Sequence, residues 1–289
     1  MSLEGQLIAG ESPSPEELRR AVARLKAVPT LPKLLQRIVV AVDDPDVSVD
    51  HIAELIEIDQ VLSSQLLRLA NSAFYGAQGS VSGVKSALVL LGSVVTRCVI
   101  LATSVLDLRH IRLLGFWEHA LGTAVAASAI ATTTGRGRAE EVMTAGLLHD
   151  LGKVMFCKEL PDLFALAVAR AQAERRSLRE VELELLGVDH AEIGGWLADQ
   201  WSFPAVLAEP IRYHHEPGAA VQAIDETAIV HVANTLIRGT GYGSGGDSKI
   251  PPIDPEAWAR LGLDAATLDT IFDRFQVGLD HALNYAFFE

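Results

Sequence analysis

Apolar residues recur at the three- and four-residue spacing of helices along most of the chain, and strand-like alternation is nearly absent. Ser14-Pro15 and Thr30-Leu31-Pro32 each place a capping residue and a proline at the start of such a pattern. Ser177-x-x-Glu180 and Asp189-x-x-Glu192 have the spacing of capping boxes. The sequence therefore predicts an all-α fold.

The capped periodic segments predict a succession of short and medium helices. They are expected at residues 14–27, 30–43, from 48 onward, 61–73, 84–91, 94–106, 116–133, 140–149, 161–174, 177–186, 191–201, 204–215, 226–238, from 255 and from 265. The stretch between 239 and 252 is rich in Gly and Ser, and is predicted to be a flexible loop.

The lengths and compositions of these helices suggest two subdomains. Residues 1–13 are predicted to be a tail, and residues 14–110 an N-terminal bundle of short helices. Residues 111–289 are predicted to form a second helical subdomain that includes the C-terminal helices. Its first helix, from Phe116, is rich in Ala, which permits close packing and favours a central position.

Composition narrows the functional classes. The net charge of -13 disfavours general nucleic-acid binding, because an acidic surface repels phosphates. Cys98 and Cys157, the two cysteines, lie in apolar helical contexts and indicate reduced thiols. Ser86 to Leu106 is the most membrane-like stretch, but Gly92-Ser93 divides it into halves too short to span a bilayer. No secretory signal is visible, so we expect a cytoplasmic protein without membrane contact.

Histidines at helix ends carry the candidate chemistry. Adjacent His149 and Asp150 offer an imidazole nitrogen and a carboxylate oxygen at one point, which suits a first-row metal if other segments supply ligands. The further candidates in the second half are His119, His190, His214 and His215. Each alone is typical of a core or surface histidine. Together they have the composition of a non-haem iron, manganese or zinc site.

The remaining histidines are interpreted differently. His51, His110 and His281 are predicted to face solvent on their helices. His231 is intermediate, because it lies three residues before Asn234 and shares a helix face with it.

Taken together, these motifs resemble the HDOD family, the HD-related output domains of bacterial signalling proteins. The resembling segments occur in order over about residues 28–217: Thr30-Leu31-Pro32, Asn71-Ser72-Ala73-Phe74-Tyr75, Leu91-Gly92, Trp117-x-His119, GLLHDLGK at 146–153, DHAEIGGWLADQW at 189–201 and HHEP at 214–217. The resemblance implies a helical domain of the HD superfamily preceded by an added helical bundle.

The resemblance also implies a metal site, with two departures from the hydrolytic relatives. By position the ligands would be His119, His149, Asp150, His190, His214 and His215. HD enzymes carry a final Asp on a later helix, and Asn234 corresponds best to it here. An amide oxygen is a poorer ligand because it brings no charge. The HD-GYP phosphodiesterases carry Gly-Tyr-Pro after His-His-Glu, whereas Glu216 is followed here by Pro217-Gly218-Ala219, and Gly241-Tyr242-Gly243 is in the wrong place.

These departures favour a non-catalytic regulatory module of bacterial signal transduction, built on a degenerate HD metal site. Its partners would be signalling proteins or a small nucleotide, and its cofactor a divalent or iron-type metal ion. The alternative is a metal-dependent phosphohydrolase acting on nucleotides or cyclic dinucleotides. In that case Asp150 would serve catalysis and Lys153 would stabilise phosphate charge. A third hypothesis keeps the cluster as a pocket that senses a nucleotide or a metal.

Overall fold

The computed structural model describes residues 33–44, 46–58, 62–63, 66–67, 70–71, 81–105, 113–201 and 203–284. None of these residues lies in a strand, and most lie in helices, so the all-α prediction is confirmed. The predicted tail and the predicted helix at 14–27 lie outside the described residues, as does much of the predicted helix at 61–73.

The helices are numbered here in chain order. They are α1 Lys33–Asp43, α2 Val49–Glu57, α3 Val84–Val105, α4 Phe116–Thr134, α5 Ala139–Leu148, α6 Leu151–Glu159, α7 Pro161–Glu174, α8 Leu178–Leu186, α9 His190–Gln200, α10 Ala205–Tyr213, α11 Ile224–Thr240, α12 Pro255–Leu261 and α13 Ala265–Asn284. A single turn of 3₁₀ helix follows α10 at Pro217–Ala219.

The chain divides into two compact units, and each is described by itself. One contains the described residues of 33–105 together with 270–284, and the other contains those of 113–269. The predicted subdomain boundaries stay a prediction. In the first unit, α1, α2 and the start of α3 close over an aliphatic core in which Ile38, Ile56 and Leu66 are completely buried. Burying such a side chain contributes roughly 1.5–3 kcal/mol, which is what holds short helices together.

Helix α3 contains the predicted break. Gly92 has a φ of 73°, so the chain changes direction there and two helical pieces meet, as the Gly92-Ser93 pair indicated. Among the helices that the structure describes, none is both long and apolar enough to cross a membrane.

The unit formed by residues 113–269 is organised around α4. This Ala-rich helix is buried along most of its length and packs against α5 and α11. Helix α9 packs against α6 and α10. The predicted capping box at Ser177 is present, with both reciprocal hydrogen bonds. Asp189 caps α9 by accepting from the Glu192 N–H, as predicted.

Helix α6 is absent from the predicted elements. Its residues from Leu151 to Cys157 are all buried, so the helix has no polar face and shows no periodicity. Gly152 further lowers its helix propensity. The omission matters because α6 follows His149-Asp150 directly and sets the direction in which both side chains point.

Candidate metal centre

Five helices of one unit bring the predicted ligands together. His119 lies in the first turn of α4, and His149 and Asp150 form the corner between α5 and α6. His190 is the first residue of α9, and His214 and His215 follow α10. Six residues between positions 119 and 215 thus converge although the sequence separates them widely.

A close approach between α6 and α9 joins the two sides of the centre. A Cβ atom at Gly152 would collide with the backbone carbonyl oxygen of His190. Only glycine fits at this position, and its absence of a side chain lets the two helices meet. The contact places the Asp150 carboxylate beside the His190 ring, so the Gly in the LLHDLGK motif serves the assembly of the centre.

The ligand atoms form two groups that meet at Asp150. His119, His149 and Asp150 form one group, called the inner group here, whose ligand atoms lie within 4.8 Å of one another. His190, His214 and His215 form a second, called the outer group, within the same limit. The inner group is buried throughout, whereas His215 of the outer group is partly exposed.

The two carboxylate oxygens of Asp150 face different groups. Oδ2 lies 3.3 Å from His149 Nε2 and 3.6 Å from His119 Nε2. Oδ1 lies 3.3 Å from His190 Nε2 and 3.8 Å from His214 Nε2. Asp150 therefore lies between the two groups and offers one carboxylate oxygen to each.

Backbone carbonyls fix the orientation of two imidazoles. The Nδ1 atom of His149 lies 2.7 Å from the Gly146 carbonyl oxygen, and that of His214 lies 3.0 Å from the Ile211 carbonyl oxygen. A carbonyl oxygen only accepts, so each Nδ1 carries the hydrogen, and in the neutral ring Nε2 is an unprotonated lone pair. Both Nε2 atoms are buried without a hydrogen-bond partner among the described residues.

Electrostatics keep these groups in the states that a metal requires. Burial lowers the pKa of His119, His214 and His215 well below the ordinary value, with the neighbouring His149 lowering it further for His119 and His214. Burial opposes ionisation of Asp150, yet His149 and Lys153 outweigh it and hold the pKa of this carboxyl well below its usual range. The imidazoles of His119, His214 and His215 are therefore kept neutral beside an ionised carboxylate.

These observations fit a metal ion. Imidazole lone pairs and carboxylate oxygens repel one another unless a proton or a cation lies between them, and the lowered pKa values disfavour the proton. Imidazole nitrogens together with the Asp150 carboxylate form a donor set suited to zinc, iron or manganese. The centre can therefore bind a metal, whose identity the donor set does not fix.

Lys153 is part of the inner group's surroundings. Its ammonium Nζ donates to Asp150 Oδ2 at 2.6 Å, and its side chain is only 4% exposed. The spacing of three residues places both side chains on one turn at the start of α6. Oδ2 already has a cationic partner, whereas Oδ1 has no hydrogen-bond partner among the described residues.

Asn234 and His231 lie on α11 and belong to neither group. Asn234 is buried, and its Oδ1 atom lacks a hydrogen-bond partner within the described part of the chain. Its role as a further ligand stays a prediction. His231 is a structural residue: Nδ1 donates to the His214 carbonyl at 2.7 Å, and Nε2 accepts from the Asp254 N–H at 2.8 Å.

The outlying histidines are accounted for as far as the structure describes them. His51 is exposed and lies 3.7 Å from Glu54. The residue His110 and the side chain of His281 lie outside what is described.

Glu182 is a functional candidate that the sequence reasoning missed. It is completely buried, and its Oε2 atom lies 2.6 Å from His190 Nδ1. The helical spacing places Glu182 on the apolar face of α8 with Leu178, Val181 and Leu185. Because a buried carboxylate needs a hydrogen-bonding or charged partner, this pattern could have identified Glu182.

The glycine-rich segment also differs from expectation. Residues 241–250, called the strap here, are irregular as predicted, but they are tied to the unit. Asp247 accepts from the Leu178 N–H at 2.8 Å and pairs with Arg238, and the Ser244 N–H donates to the Gly115 carbonyl at 2.8 Å. A Cβ atom at Gly243 would collide with the His119 backbone nitrogen, so the strap lies directly against the inner group.

Comparison with known sequences identifies a domain family. The profile described as HDOD domain matches residues 28–217, more than half of the chain. A curated but uncharacterised protein from Treponema pallidum (strain Nichols) is 31% identical over 221 residues, which are 74% of this chain and 43% of that protein. The chain therefore spans less than half the length of this relative.

Solved structures give the same fold. An HDOD domain protein of unknown function from Geobacter sulfurreducens is 28% identical, with a TM-score of 0.68 over 93% of this chain and 96% of that one. A proposed signal transduction protein from Marinobacter aquaeolei VT8 is 21% identical, with a TM-score of 0.67 over 90% and 58%. A proposed phosphohydrolase from Shewanella amazonensis SB2B is 24% identical, with a TM-score of 0.66 over 92% and 98%.

Proposed function

This chain belongs to the HDOD family, and on that premise we propose that it is a regulatory signal-transduction module whose buried centre holds metal without hydrolysing a substrate. Metal would be held by His119, His149 and Asp150 in the inner group and by His190, His214 and His215 in the outer group. Its partners would be signalling proteins or a small nucleotide. The similarity to a proposed signal transduction protein agrees with this role but shows only the shared fold.

The observation that carries the proposal is the burial of the inner group. His119, His149 and Asp150 are at most 1% exposed, and the strap lies against the backbone of His119. Lys153, the cation that a phosphohydrolase would direct at a phosphate, is instead engaged by Asp150. By sequence, Asn234 corresponds best to the last carboxylate of HD enzymes. Each feature favours holding an ion over exchanging substrate and product.

A metal-dependent phosphohydrolase is the second candidate, and one observation favours it. All six predicted ligands converge, and Lys153 lies beside them. A bound metal would supply a Lewis acid for attack at phosphorus. Lys153 could then stabilise phosphate charge only after leaving Asp150, and the strap would have to move to admit a phosphate ester.

Metal content and activity, measured on one protein sample, distinguish the two candidate functions. The protein should be purified without chelators, its metal content measured by mass spectrometry, and its activity assayed against cyclic dinucleotides and nucleotide phosphates. We expect bound metal, and thermal stabilisation of about 2.7 kcal/mol at a hundredfold excess of metal over its dissociation constant. We expect no turnover above that of the Asp150→Asn variant. Turnover of about 1 s⁻¹ or more that this substitution abolishes would establish the enzyme instead.

A further inference from the structure

Glu182 makes two contacts to one residue through a single oxygen. Its Oε2 atom accepts from the His190 backbone N–H at 2.9 Å and lies 2.6 Å from the His190 ring Nδ1. Both residues are buried, with Glu182 at 0% and His190 at 2% exposure. The carboxylate thereby fixes the start of α9 and the plane of the imidazole together.

The position of His190 in its helix explains why a side chain is needed. His149 and His214 each end a helix, and each Nδ1 donates to the carbonyl three residues earlier. His190 begins a helix, so no preceding helical turn offers it such a carbonyl. Glu182, brought in from the neighbouring helix α8, takes the place of that missing acceptor.

The contact determines which nitrogen of His190 faces the centre. Because a carboxylate accepts hydrogen bonds, the Nδ1 atom carries the hydrogen and donates it to Glu182. The Nε2 atom is left to face Asp150 Oδ1 at 3.3 Å and His215 Nε2 at 2.9 Å. A buried carboxylate is costly compared with a backbone carbonyl, so its presence here has a consequence for the ring beyond packing.

We propose that Glu182 is the positioning residue of the outer group, which holds His190 in the Nδ1–H tautomer and makes its Nε2 atom a stronger metal donor. The effect on affinity rests on the proposed metal-binding function, whereas the effect on the tautomer does not. Carboxylates that accept from a ligating histidine act in this way in metal sites generally. In the inner group, a backbone carbonyl rather than a carboxylate orients His149.

The test compares Glu182→Gln and Glu182→Ala with Glu184→Gln. Glu184 lies on the same helix but is exposed and pairs with Arg170 and Arg176, so it is a matched control. The first readout is the side-chain ¹⁵N–¹H NMR correlation of His190 in metal-free protein. The second is affinity for Zn²⁺ alone, measured by competition with a chromophoric chelator.

We expect a strongly deshielded Nδ1 proton and an unprotonated Nε2 in the wild type and in Glu184→Gln. Glu182→Ala should lose that proton signal and bind Zn²⁺ roughly 10- to 100-fold more weakly. Glu182→Gln, which keeps an accepting oxygen without the charge, should retain the tautomer and recover part of the affinity. A purely structural role would not produce this graded order.

Wild-type tautomer and affinity in a folded Glu182→Ala variant would overturn the proposal. If Glu182→Ala does not fold, Glu182→Gln provides the test. An unchanged Zn²⁺ affinity and an unchanged Nδ1 proton shift in this variant would overturn the proposal. Loss of deshielding with weaker Zn²⁺ binding would support it. Absence of Zn²⁺ binding by the wild type would refute the proposed function and the affinity part of this proposal, while the NMR result would still report on the tautomer.

Discussion

The inner and outer groups use the same residue types but differ in charge and access. In the inner group Asp150 Oδ2 accepts from the Lys153 ammonium, whereas Oδ1, facing the outer group, has no hydrogen-bond partner among the described residues. The strap lies against the His119 backbone of the inner group, whereas the outer group includes the partly exposed His215. We therefore expect a cation from solvent to reach the outer group first, where Oδ1 is uncompensated. We infer that the outer group binds metal more tightly.

The largest expected effect comes from replacing the carboxylate that both groups share. Asp150→Asn keeps the shape of the side chain but removes its charge, so both groups should lose metal and the bound stoichiometry should fall to background. Elemental analysis after equilibrium dialysis measures this, with circular dichroism to follow folding. Asp199→Asn, at an exposed aspartate paired with Arg212, is the control. Full metal content in Asp150→Asn would show that the groups bind independently of this carboxylate.

The substitution Lys153→Met should change metal binding at the inner group, where Lys153 contacts Asp150 Oδ2. Removing one partner of a buried ion pair leaves Asp150 uncompensated, so the metal-free variant should lose about 3–5 kcal/mol of unfolding free energy. Metal should restore more stability to the variant than to the wild type, because Oδ2 becomes free to bind a cation. Urea unfolding with and without Zn²⁺ measures both effects. Equal stabilisation of the two proteins by metal would contradict the idea that Lys153 competes at the inner group.

The sequence indicated which residues lie together better than it indicated what surrounds them. Cap residues and helix ends are local signals, so the positions of His149, Asp150 and His190 at helix ends could be read directly. Helix α6 could not, because a helix buried on all sides has no amphipathic pattern. The strap was predicted to be flexible from its Gly content. However, Asp247 accepts a hydrogen bond from the Leu178 N–H, which lies 69 residues away in the sequence. Such long-range ties have no local signature.

The pH dependence of stability should also distinguish the groups. Burial lowers the pKa of His119, His214 and His215, so below the ordinary value of about 6.5 the unfolded metal-free chain binds more protons than the folded one. Unfolding free energy therefore rises with pH between the lowered pKa values and about 6.5, by up to about 1.4 kcal/mol per pH unit for each histidine.

Two of these histidines belong to the outer group and one to the inner group. The metal-free protein should lose stability as the pH falls from about 7.5 to about 5.5. The double substitution His214→Gln with His215→Gln should flatten this slope about twice as much as His119→Gln. Urea titrations at several pH values test it. An equal or smaller flattening by the double variant would show that the outer group does not dominate the proton linkage.

The smallest expected effect concerns access to the inner group. Asp247 ties the strap to Arg238 and to the start of α8, and its side chain is 3% exposed. Asp247→Asn removes the charge from that tie, so the strap should open more often and a chelator should strip inner-group metal roughly 5- to 10-fold faster, equivalent to about 1 kcal/mol. Outer-group metal should leave at the wild-type rate, because His215 is already accessible. Stopped-flow chelation resolves the two phases, and Asp264→Asn, at an exposed helix cap, should change neither. Acceleration of both phases by Asp247→Asn would mean that the strap controls the whole centre and that the two groups share one route to solvent.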